Sequence, residues 1–185
     1  MPDSVWNVRE RKNSRLAPLN KFIGPYGPFS LVVLLGVILD QATKWAAFKY
    51  LTDSHGLEKL VKLTFFFNLS PSRNEGGVFG VFQEGNLLFI VLSVLAVLVV
   101  LWIYIKSEGV DLVTTIALGN IIAGAVGNLI DRVYYHYVRD FMDLHIGTRH
   151  WPTFNLADVL ICLGVGLMVL NILAPRTLRP RLPLD

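Results

Sequence analysis

A single cysteine, Cys162, among 185 residues excludes an internal disulfide and any multi-cysteine metal site. It lies inside an apolar run and is expected simply to pack. Charge is scarce too: 17% of residues are Asp, Glu, Lys or Arg and 53% are hydrophobic, with a mean hydropathy of +0.50, far from an ordinary soluble domain. Several common chemistries lack their patterns. No HExxH-like ligand pair accompanies His136, His145 and His150, which argues against zinc. Ser70, Ser72 and Ser93 have no GxSxG setting and no lysine arrangement to activate them. The pI of 9.1 comes without a basic run interleaved with aromatics, so it points to lipid head groups and not to nucleic acid. No fixed-period repeat or matched pair of broken helices suggests an inverted-repeat transporter.

The chain does have four apolar stretches, about Phe29 to Ala47, Leu87 to Ile105, Leu112 to Ile130 and Ala157 to Ala174, each near the ~20 residues that cross ~30 Å of hydrocarbon. Lipid cannot satisfy backbone polar groups, so all four are predicted to be helices. The second is uncharged throughout; the first reaches its length only by including Asp40, Gln41 and Lys44. Residues 1–28 carry Arg9, Arg11, Lys12, Arg15 and Lys21 without an apolar core, so they read as a basic cytoplasmic arm and not a cleavable signal peptide. Residues 29–174 form the membrane domain and 175–185 a cytoplasmic tail. Both termini are assigned to the cytoplasm from the arm, Lys106, Arg176, Arg179 and Arg181, although the opposite loops hold Lys59, Lys62, Arg73, Arg132, Arg139 and Arg149 and nearly tie the count.

The fold class is therefore an all-α membrane protein of four transmembrane helices with a small extracytoplasmic β-rich platform. The platform is placed in the roughly 40 residues between the first two spans, where the aromatic stretch Thr64 to Asn68 precedes SPSRNEGG. Gly76, Gly77 and Gly80 permit tight turns, and Phe79 and Phe82 can dip into the interface. In the third span, Gly119, Ala123 and Gly127 make a small-residue ridge for close helix approach. Asn120, Gly124 and Asn128 form a neighbouring stripe expected to face protein or water.

Two carboxylates stand at the edges of apolar runs, where an unpaired charge is expensive: Asp140 in VRDF and Asp158 in FNLAD. Asn155 can cap the fourth helix, with Asp158 favoured three residues later by the helix N-terminus. If the two carboxyls meet in a partly dry site, repulsion keeps a proton on one and leaves the other anionic, an acid and a base for peptide hydrolysis without metal or cofactor. Asp143, three residues after Asp140, is an alternative partner that spacing alone leaves open. Asp40 and Lys44 are spaced to pair on one helical face, a structural more than a catalytic arrangement.

Taken together, DQATK at 40–44, NEGGVFG at 74–80, GNLIDR at 127–132, VRDF at 138–141 and FNLAD at 154–158, in order around four apolar spans, resemble lipoprotein signal peptidase, the bacterial signal peptidase II family. The resemblance implies an aspartic protease of the inner membrane that cuts diacylglyceryl-modified prolipoproteins before their lipidated cysteine, with its active site near the outer leaflet. Asp140 and Asp158 match the catalytic aspartates. Asn74, Asn128, Arg132 and Asn155 match polar positions of the substrate groove, and Asp40 matches a supporting residue; Lys44, Gly76 and Phe79 lie in the same motifs. Prolipoproteins, membrane lipids and globomycin-type inhibitors are the implied partners. One position departs: the family usually has glycine four residues before the first catalytic aspartate, where this chain has His136, whose bulk is expected to reshape the loop. Two other classes stay open. A proton-linked transporter subunit would use Asp40, Asp140 and Asp158 as a relay, and a noncatalytic homologue would bind lipoproteins without cutting them.

Overall fold

The computed structural model describes residues 26–53, 59–76, 86–107 and 110–174. Within them the apolar segments close their backbone hydrogen bonds as helices: α1 (Gly27–Tyr50), α2 (Asn86–Lys106), α3 (Leu112–Tyr134) and α4 (Leu156–Leu173). Each is long and apolar enough to span a bilayer, so the chain is a multi-pass membrane protein. Strands β1 (Val61–Lys62) and β2 (Phe67–Asn74) follow α1, and β3 (Val138–Ile146) and β4 (Arg149–His150) follow α3. They form one antiparallel sheet in the order β1-β2-β3-β4. Because the strands connect α1 to α2 and α3 to α4, the sheet sits at one end of the bundle.

The centre of the bundle is α3, half of whose most apolar window is buried. Its two small-residue rows face different neighbours. A Cβ on Gly119 would press on Val32 of α1 at 2.8 Å, and the Ala123 Cβ lies where a Cβ on Gly36 of α1 would stand. Gly124 instead lies against the Ala157 carbonyl and Ile161 of α4. On α4 the buried residues Ala157, Gly164 and Asn171 recur every seven positions, which defines the face turned to α3. Cys162 falls off that face and is exposed, so it does not pack as expected. The apolar core of α2 centres on Tyr104, whose ring stacks on Phe29 at 3.9 Å in a cluster with Leu118 and Ile122, with Val100 and Leu101 packed against it. At the bundle end away from the sheet, Asp111 caps α3 by accepting from the Thr114 N–H at 2.8 Å, and Asn171 Nδ2 donates to Asp111 at 2.9 Å.

Two elements differ from the sequence reading. The helix α3 runs past Ile130 to Tyr134, because Asp131 finds buried partners and need not stop it. The SPSRN segment is strand and not turn, with the fully buried Pro71 at an irregularity between Leu69 and Ser72 where no ladder donor is required. His136 adopts φ 67°, the left-handed conformation that glycine favours, which costs the α3–β3 turn about 1–2 kcal/mol of backbone strain. The basic arm (except its last three residues), the tail, and Gly77, Phe79, Gly80 and Phe82 lie outside the described residues.

Candidate active site

Asp140 enters the site from β3. Its strand pairs with β2 through Ser72↔Asp140 and Asn74↔Val138, which brings Asn74 beside it, and Asn74 Nδ2 donates to Asp140 Oδ2 at 2.9 Å. The Asn74 Oδ1 accepts from the Gly76 N–H at 3.0 Å, a turn that needs φ 96° at Gly76 and has no room for a Cβ beside Phe89. Asp158 enters from the first turn of α4. There Asn155 and Asp158 form a reciprocal capping box: Asn155 Oδ1 accepts from the Asp158 N–H at 3.2 Å, and the Asn155 N–H donates to Asp158 Oδ2 at 3.1 Å.

The cap also joins the carboxylates. With its oxygen committed to the helix, Asn155 turns Nδ2 outward, and that nitrogen donates to Asp140 Oδ1 at 2.6 Å and to Asn128 Oδ1 at 3.1 Å. Asn128 on α3 in turn donates Nδ2 to Asp158 Oδ1 at 2.8 Å. A single residue thus touches both acids, one through its side chain and the other through its backbone. Arg132, one turn beyond Asn128, stands close enough to interact electrostatically with both aspartates, and its guanidinium lies 5.2 Å from the Phe89 ring centre.

The environments of the two acids differ. Asp140 is 1% exposed, while Asp158 is only partly buried. Burial pushes the Asp140 carboxyl up to about 6, against the hydrogen bonds from Asn74 and Asn155 that favour its anion and with help from the nearby Asp158 charge. Asp143, the alternative partner, is engaged elsewhere. It accepts from Asn68 Nδ2 at 2.9 Å and pairs with His150 Nδ1 at 2.8 Å. Although burial works against it, those bonds hold its carboxyl below the ordinary value. An odd separation along a strand puts side chains on opposite faces, which explains why Asp140 and Asp143 do not converge.

Beneath the two aspartates lies a second polar layer, mostly missed by sequence reasoning. Lys44 is fully buried, donates to Asp40 Oδ2 and Asn128 Oδ1, both at 2.9 Å, and pairs with Asp131 Oδ2 at 3.4 Å. Arg139 pairs with Asp131 at 2.8 Å and donates to Gln41 Oε1 at 2.8 Å, and its backbone N–H also reaches Asp131 at 2.9 Å. Gln41 Nε2 closes the layer onto Asp40, Asp131 and the Gly127 carbonyl. Asp40 accepts from the Ala157 N–H at 2.9 Å and so ties α1 to the start of α4. Asp40, Asp131, Lys44 and Arg139 cancel in formal charge, which makes their burial tolerable. Spacing predicted only the Asp40–Lys44 pair; Asp131 and Arg139, eight residues apart across a helix-to-strand turn, carried no periodic signal.

Among the described residues no cluster of three or more His, Cys, Asp or Glu is arranged to hold a metal ion. A cavity of about 570 Å³ lies at the far tip of the sheet among Phe66, His145, His150 and Trp151, and contains neither aspartate.

The comparisons with known proteins agree with this geometry. Residues 32–174 match the family described as Signal peptidase (SPase) II. The "Lipoprotein signal peptidase" of Clostridium tetani is 38% identical over 144 residues, covering 77% of this chain and 90% of that protein. The protein of the same name from Thermodesulfovibrio yellowstonii is 39% identical over 141 residues, covering 76% and 90%. A solved "Bacterial membrane enzyme structure by the in meso method at 1.9 A resolution" superposes with a TM-score of 0.70 at 29% identity, covering 80% of this chain and 93% of that one.

Proposed function

The chain belongs to the signal peptidase II family, and we propose that within it this protein is an aspartic endopeptidase of the bacterial inner membrane, with Asp140 and Asp158 as the catalytic pair. Its substrates are diacylglyceryl-modified prolipoproteins, cut before the lipidated cysteine. The observation that carries the assignment is the double engagement of Asn155, which donates to Asp140 from its side chain and to Asp158 from its backbone and so presents two carboxyls to one space.

The unequal burial of the pair divides the labour. Asp140, pushed up to about 6, holds the shared proton, while Asp158, at a helix N-terminus and facing Asn128 Nδ2, is the anion. Asp158 takes a proton from a water as its oxygen attacks the scissile carbonyl carbon, and Asp140 gives its proton to the carbonyl oxygen. Collapse of the tetrahedral intermediate breaks the C–N bond and returns a proton to the leaving amine. Arg132 and Asn74 bind the extended peptide or the lipid ester carbonyls. Substrate acyl chains enter laterally from the bilayer, and globomycin-type inhibitors compete for the same groove. In the proposed topology the sheet and active site lie at the outer leaflet, both termini are cytoplasmic, and residues 29–174 are the peptidase domain.

Replacing Asp140 or Asp158 by Asn, in protein shown to be folded, is expected to lower cleavage of a lipidated precursor in vesicles by about 10³-fold or more. Wild-type turnover in either variant would eliminate the pair.

A further inference from the structure

We propose that Lys44, on α1 and without contact to either catalytic aspartate, is a positioning residue that fixes and polarises the Asn128 amide so that it can only donate to Asp158. The inference rests on the assignment of Asp158 as the base. An asparagine amide has two faces, an acceptor oxygen and a donor nitrogen, and either can be turned toward a carboxylate in principle. Turned nitrogen-first, Asn128 stabilises the Asp158 anion; turned oxygen-first, it would repel that anion and favour its protonated form.

An ammonium group is donor-only, so whatever Asn128 presents to Lys44 at 2.9 Å must be its oxygen. Lys44 itself has no freedom to adapt. Its ammonium donates to Asp40 Oδ2 and Asn128 Oδ1, both at 2.9 Å, and is paired with Asp131 Oδ2 at 3.4 Å, and the side chain is 0% exposed. The second donor to the same Asn128 oxygen, Asn155 Nδ2, is longer at 3.1 Å and is shared with Asp140 at 2.6 Å. The charged, shorter, unshared bond therefore dominates the orientation. It also draws electron density toward Oδ1, which makes the Nδ2 that reaches Asp158 at 2.8 Å a stronger donor. Arg132 on α3 and Asp140 on β3 act on Asp158 directly and not through Asn128, and the Lys44 charge also acts on Asp140 by a route that does not pass through Asn128 and that the double-mutant cycle separates.

The test is a double-mutant cycle on cleavage of a lipidated precursor peptide by the full-length protein in nanodiscs. Lys44→Met alone is expected to lower kcat roughly 100-fold, the usual loss for one directed donor, with KM changed less than about twofold. In an Asn128→Leu background, where there is no amide left to orient, the same replacement is expected to cost less than about threefold. A full 100-fold loss in both backgrounds overturns the proposal, because Lys44 would then act by another route; wild-type kcat in Lys44→Met overturns it as well. If Lys44→Met does not fold, the cycle is run with Lys44→Met added to Asp40→Asn, a pair of changes that removes one charge of each sign, leaves Asp131 and Arg139 balanced and keeps an acceptor for the Ala157 N–H; Asp40→Asn alone is then the reference and the two readings are the same. Failure of the underlying assignment looks different: Asp158→Asn would then remain active.

Discussion

Asp140 differs from the other buried carboxylates around it in having amide donors but no cation in contact, whereas Asp40 and Asp131 sit against Lys44 or Arg139. Its preference for the neutral form has two consequences. In catalysis, the proton is lost as pH rises through about 6, so kcat/KM is expected to fall on an alkaline limb with a midpoint near that value, measurable from pH 5 to 8. In stability, a carboxyl raised from 3.8 to about 6 contributes fully at low pH, and that contribution disappears as pH climbs through about 6, a difference of about 3 kcal/mol. Unfolding in detergent is therefore expected to become easier from pH 4 to pH 8, and Asp140→Asn should flatten that slope; equal slopes would contradict a buried acid. Asp140 and Asp158 were legible in the sequence because a carboxylate beside an apolar run stands out. The partners of Asn128 were not: Lys44 is 84 positions away in the chain, and nothing in local spacing encodes that contact. His136 shows the same limit, since its departure from the family pattern was visible but its left-handed backbone was not.

At the level of elements, the site depends on α3 acting as a thin spacer between α1 and α4. The sequence displayed both small-residue rows on α3, and the structure assigns Gly119, Ala123 and Gly127 to α1 and Gly124 to α4. Gly124→Ala would drive a methyl into the Ala157 carbonyl oxygen and Ile161, and a backbone oxygen at the start of α4 cannot yield as a side chain can. Because Ala157 directly precedes Asp158, the displacement reaches the catalytic carboxyl. The substitution is expected to cost about 1–3 kcal/mol and to lower cleavage more than tenfold, whereas Gly166→Ala, which meets nothing within 4 Å, should leave melting temperature and turnover unchanged. Equal behaviour of the two variants would dissociate helix spacing from activity. The sheet was harder to read than the helices. Its β2 strand contains Ser70, Pro71, Ser72 and Asn74, turn formers by composition, and they are held extended by pairing with β3, more than sixty residues later.

Taken as a whole, the molecule exposes its apolar side chains along the helices and gathers its buried Asp–Lys and Asp–Arg pairs at one end. In α2 only Tyr104 is fully buried and the stretch from Leu87 to Ile105 carries no charge, an arrangement suited to hydrocarbon and to nothing aqueous. Which end faces the cytoplasm depends on the basic residues, and their near tie in sequence weakens once contacts are known. Arg139 is buried against Asp131 and Gln41, and Arg132 faces the two aspartates, so neither acts as a free loop charge. That leaves Lys49, Lys59, Lys62, Arg73 and Arg149 on the sheet side against the longer basic set of the arm, Lys106 and the tail, which supports cytoplasmic termini. The orientation can be checked in a Cys162→Ser background with single cysteines at Lys62 on β1 and at Ser107 after α2, both exposed and at opposite ends of the bundle. A membrane-impermeant maleimide applied from the outer face should modify Lys62→Cys at once and Ser107→Cys only after the inner membrane is breached. The reverse pattern would put the aspartates on the cytoplasmic side, where a precursor anchored by its lipid in the outer leaflet could not reach them.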